Sequence, residues 1–149
     1  MNTVDTIEML NKLIVMSKNS ERGLCAAAEE AHHAELKSAL FDYARFFGDT
    51  AGELQQAVRE LGGQPKEIGT FGHTVHRTWM HLKATALGRD ERLILDEAER
   101  DEDEAEYRFA NAVHEDTPPA VHALLERQYA QAQRHHEQIR EWRSHAPTH

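Results

Sequence analysis

Prolines and glycines are unevenly spread along this chain. Apart from Gly23, Gly48 and Gly52, all of them lie between residues 62 and 88, at Pro118-Pro119 or at Pro147. The stretches between them are rich in Ala, Leu, Glu, Arg and Gln, and their apolar residues recur every third or fourth position. Such punctuation leaves room for long helices and little else. Ile7, Leu10, Ile14, Leu24 and Ala28 form one stripe, predicting a helix over about 3–31. Leu36, Leu40, Tyr43, Phe47, Leu54, Val58 and Leu61 form a second, over 35–61, closed by Gly62-Gly63. Leu95, Ala98, Ala105, Phe109 and Ala112 predict a helix over 90–115. Thr117-Pro118-Pro119 opens another over 118–143, with Thr117 as its cap and Val121, Leu125, Ala132, Ile139 and Trp142 facing inward. No strand alternation and no longer repeat competes with this reading.

The first two helices and the last two each form an antiparallel hairpin. The link between the hairpins is too long for a tight turn. Within it Val75, Trp79, Leu82 and Ala86 are spaced as one face of a short amphipathic crossover helix over 72–87. Two hairpins joined by a long crossover is the all-α, four-helix-bundle topology of ferritin-like folds. With 149 residues the chain reads as one domain, 1–149.

Composition removes several function classes. The longest unbroken apolar run, Leu24 to Ala28, is far short of the roughly 18 residues that cross a bilayer. A net charge of −9 with no gathered Lys/Arg cluster argues against nucleic acid as a partner. Cys25 is the one cysteine, and no basic-then-apolar leader opens the chain, so the expected location is the cytoplasm. No Gly-rich phosphate loop or nucleophile signature is present. The acidic run Glu99 to Glu106 reads as the solvated face of its helix. Phe41 and Phe46 lie off the centre line of the second helix. A crossover helix or a twin chain in a homodimer could cover them, and the choice stays open.

Stepping 100° per residue separates charges that belong to water from those that do not. Glu21 falls inside the apolar stripe of the first helix, and Glu102 falls on the line Leu95, Ala98, Ala105, Phe109. His135 and His136 flank the centre line of the last helix, and Tyr43 faces inward from the second. Glu21 and Glu102 come out at similar depth, with the two histidines about one turn away. Buried carboxylates facing each other need neutralising by a proton, a histidine, an arginine or a metal ion.

The runs GLCAAAEE, ELKSALFDYA, ELQQAVRELGGQP, HRTWMHLK, ERDEDEA with Tyr107 following, and HEQIREWR resemble an uncharacterised four-helix-bundle family of bacterial proteins in the ferritin-like superfamily. The likeness covers nearly the whole chain, and its LGGxP, HRxW and HxxIR pieces are the more specific. It implies a ferritin-like bundle loosely linked to stress responses, with no assigned activity. Di-iron members of that superfamily carry Glu on the first and third helices and Glu-x-x-His on the second and fourth. Here Glu21, Glu102 and His136 can stand for parts of that set. Gln133 replaces one carboxylate, and Glu53-Leu54-Gln55-Gln56 lacks the histidine.

The leading expectation is therefore a non-catalytic, stress-associated or interaction protein with a degenerate central polar site and no required cofactor. The alternative is a protein holding one iron, manganese or zinc ion through Glu21, Glu102 and His136 or His135. Glu29, His32 and His33 form a further group suited to adventitious metal. Eleven histidines raise a third reading, a switch responding to pH near neutrality.

Overall fold

Asn2 starts the first helix by accepting the Asp5 backbone N–H on its side-chain oxygen at 2.8 Å. From that cap α1 runs Thr3–Glu30. A computed structural model describes residues 1–67 and 91–145 of the chain. After a turn through Ala31, whose N–H reaches back to Ala27 and Ala28, α2 runs Ala34–Glu60. It ends where Gly62 takes a φ of 85°. The Gly62 N–H then bonds the Arg59 carbonyl and the Gly63 N–H the Val58 carbonyl, both at 2.9 Å, the paired closure that a left-handed residue past a helix end permits. Helix α3 runs Glu91–Val113 and α4 runs Pro119–His145. All regular structure among the described residues is helical. The predicted crossover helix over 72–87, with Val75, Trp79, Leu82 and Ala86, falls outside them.

The opening of α4 differs from expectation. Thr117 Oγ1 is buried with no hydrogen-bond partner among the described residues, so it does not cap the helix. Instead the Pro118 carbonyl accepts the first bond, from His122 N–H at 2.9 Å. Two consecutive prolines move the start of the helix one residue along, because Pro119 takes the first helical position and has no N–H to offer a cap.

The ends of the helices set their directions. The Met1 amino group lies 4.0 Å from the Asp116 carboxylate, in the turn between α3 and α4. The His33 ring, in the turn between α1 and α2, lies 6.3 Å from the Trp142 ring near the end of α4. Helices α1 and α4 therefore run one way and α2 and α3 the other. Helix α1 packs on α2 and α3, and α4 packs on α3 and α2. The core between them holds Leu10, Ile14, Leu24, Leu36, Leu40, Phe47, Leu54, Leu95, Phe109, Leu125 and Ile139. Alanines at 27, 28, 44, 98, 105 and 132 let the backbones approach.

Candidate functional site

Four acidic residues of α3 follow the spacing Asp96, Glu99, Asp103, Glu106, which places them along one edge of that helix. Three cationic or titratable residues of α4 answer at His136, Arg140, Arg143. The helices are antiparallel, so the two rows meet along the α3–α4 seam. Arg143 lies 2.7 Å from Asp96 and also pairs with Glu99. Arg140 reaches Glu99 at 3.8 Å and Glu137 at 3.1 Å. The acidic run is thus only partly the solvated face expected of it. Glu99 is 13 % exposed and turns toward α4, Asp103 sits mostly exposed at the rim of the seam, and Glu104 remains in water.

His136 is the centre of this seam. Its ring is 3 % exposed, and each ring nitrogen meets a carboxylate. Nδ1 pairs with Glu106, and Nε2 lies 3.1 Å from Asp103 Oδ1. One donor atom from each of Asp103, Glu106 and His136 lies within 4.8 Å of the others. A ring held in this way by a carboxylate on one nitrogen is the arrangement that orients a metal-binding histidine. Nitrogen and carboxylate oxygens without a thiolate suit zinc, iron(II) or manganese(II).

The other residues singled out from the sequence take separate positions. Glu102 is fully buried and faces the core of the bundle rather than the seam. Burial first, and then the charge of Glu102, hold the Tyr43 phenol well above its ordinary value. The Tyr43 hydroxyl also donates to the Ala132 carbonyl at 3.4 Å. Glu21 is half-buried at the α1–α2 seam, where its carboxylate fills the notch left by the missing side chain of Gly48. His135 serves as an aromatic ring. It stacks on Tyr43 at 4.9 Å and 16° and packs against Phe46 at 5.1 Å. Burial lowers its pKa, Asp42 works against that shift and Arg134 adds to it. These contacts leave Phe46 buried and Phe41 exposed.

Glu29, His32 and His33 are exposed at the turn between α1 and α2. Burial, followed by the charges of Glu21 and Glu29, pushes the Cys25 thiol up and away from the reactive thiolate. Of the residues predicted to meet a metal, only His136 belongs to the three-residue group on the seam. Its carboxylate neighbours, Asp103 and Glu106, lie off the centre line of α3, which picks out Glu102 instead. The signal for them was present in the matched acidic and basic spacings on α3 and α4.

No curated protein matches the chain. A family model matches residues 5–115, which takes in α1, α2, α3 and the carboxylates of the seam but stops short of His136. The chain belongs to the family described as a domain of unknown function, DUF2383.

Proposed function

We propose that this chain is a ferritin-like, two-hairpin bundle that binds one divalent transition-metal ion at the α3–α4 seam. In this reading His136 Nε2 and one oxygen of Asp103 are the protein ligands, water completes the shell, and Glu106 accepts the Nδ1 hydrogen and fixes the ring. The reading rests on one observation, a 3 % exposed histidine whose two nitrogens both face carboxylates. With two protein ligands the site holds a single ion, and its role in this reading is structural: the ion ties α3 to α4 and stabilises the bundle by mass action. The ferritin-like assignment is supported by the two hairpins and by α1 running parallel to α4.

Zinc titration of the full chain, first stripped with a chelator and then dialysed, tests this. One equivalent should survive in the His32→Ala/His33→Ala variant and be lost in Asp103→Asn, whose side chain is 63 % exposed and tolerant of change. The metal should also raise the melting temperature of the wild type and leave Asp103→Asn unmoved. Retention of the equivalent in Asp103→Asn would refute the site.

A further inference from the structure

His136 Nε2 has two neighbours that ask opposite things of it. Asp103 Oδ1, at 3.1 Å, can only accept a hydrogen bond. Arg140 Nη2, at 3.5 Å, can only donate one. A single ring nitrogen carries either a hydrogen or a lone pair, so it cannot satisfy both at once. With Glu106 on Nδ1, the ring that donates its Nδ1 hydrogen directs the Nε2 lone pair between Arg140 and Asp103. That position is flanked by a lone pair and a carboxylate, and the group beside it is a cation.

We infer that Arg140 is the resident cation of this seat in the metal-free protein, and that an incoming divalent ion displaces it. The inference rests on the metal-binding reading above and adds the way in which the site is regulated. Arg140 has somewhere to go. Its guanidinium already reaches Glu137 at 3.1 Å and Glu99 at 3.8 Å, and it is 51 % exposed. Displacement therefore swings a half-exposed side chain onto carboxylates it already touches. What it costs is the Arg140 contact with Nε2, together with the repulsion between the guanidinium and a second positive charge close by. Arg140 thereby sets the affinity of the site, holding it open to an ion only when the ion is plentiful.

The test is a zinc titration against a chromophoric chelator, run on the wild type and on Arg140→Gln, Arg140→Lys and Asp103→Asn. Arg140→Gln removes the competing charge and should tighten binding by about tenfold or more. Arg140→Lys keeps the charge and should stay within about threefold of the wild type. Asp103→Asn should lose the equivalent altogether. If Asp103→Asn loses it but Arg140→Gln binds no more tightly than the wild type, the role of Arg140 is overturned and the site stands. If Asp103→Asn keeps it, the site falls and the competitor with it. Should Arg140→Gln fold poorly by far-ultraviolet circular dichroism, Arg140→Ala provides the second route. It removes the same resident cation and should tighten zinc binding likewise. Unchanged affinity in that variant would count against displacement.

Discussion

The two hairpins are held together by different physics. Between α1 and α2 the large buried residues are Leu10, Leu13, Ile14, Leu24, Leu36, Leu40, Tyr43, Phe46, Phe47, Leu54 and Val58, closed up by alanines, with Thr6, Ser17, Ser20 and Thr50 as small polar exceptions. Between α3 and α4 the large buried apolar residues are fewer among the described residues, and a row of carboxylates faces His136, Arg140 and Arg143 along the edge. Apolar burial contributes roughly 25 cal/mol per Å² and involves no charge for a proton to neutralise or an ion to screen. Half-exposed ion pairs contribute about 0–1 kcal/mol each and depend on both. The first hairpin is thus an unconditional scaffold. The second is held by interactions that a proton, a salt or a cation can alter, which is where a binding function is best placed.

The largest effect that separates the two is in the scaffold. Phe47 is fully buried and packs against the rings of Tyr43, at 5.3 Å, and Phe46, at 5.0 Å. Phe47→Ala should cost about 3–5 kcal/mol, read from the midpoint of denaturant unfolding. Arg143→Ala removes a half-exposed member of the charged row and should leave that midpoint close to the wild-type value. Equal losses from the two would erase the contrast. Tyr43→Phe comes next. It keeps the ring stack but removes the hydroxyl that donates to the buried Ala132 carbonyl, and should cost about 1–3 kcal/mol.

Much of this contrast was legible in the sequence, and the reason lies in periodicity. The stripes through Leu10 and Ile14, through Leu40 and Phe47, and through Leu95 and Phe109 all point inward as the 100° rule requires. Glu102 was readable as a buried carboxylate for the same reason. The carboxylates of the metal-competent group were not, because Asp103 and Glu106 sit at the edge of their helix, where the rule assigns them to water. Asp103 and Glu106 turn into a seam only because α4 brings His136 opposite them, and that depends on the register between two helices rather than on either one. Glu21 shows the same limit. Its angle puts it inside, yet its half-buried resting place is set by a glycine on the neighbouring helix, Gly48. His135, adjacent to His136 and equally near the centre line, joins an aromatic stack because its height matches Tyr43 and Phe46.

Salt should act more strongly on the second hairpin than on the first. Raising ionic strength from about 0.01 M to 1 M shortens the screening length from about 30 Å to 3 Å, which weakens half-exposed pairs such as Arg143 with Asp96. Amide hydrogen exchange should then accelerate in α3 and α4 relative to α1 and α2, by an amount matching at most about 1 kcal/mol per pair. Uniform acceleration across all four helices would mean that the seam opens only with the whole bundle.

The smallest effect concerns His135, where the scaffold touches the adjustable hairpin. Burial lowers its pKa below the ordinary imidazole value of about 6.5, despite the nearby Asp42. The unfolded chain therefore takes up a proton that the folded chain resists. The resulting stability is complete above about pH 6.5 and is lost as pH falls through the folded value. His135→Phe keeps the stack on Tyr43 and Phe46 and cannot titrate. Between pH 7.5 and 5.5 the wild type should lose more of its melting temperature than this variant, by no more than about 2 °C given how partial the burial is. Comparing the two proteins cancels the contribution of the other ten histidines, so the residual belongs to position 135. Parallel losses would show that the ring is as free to charge in the fold as out of it, and that the stack excludes less water than its 4.9 Å spacing implies.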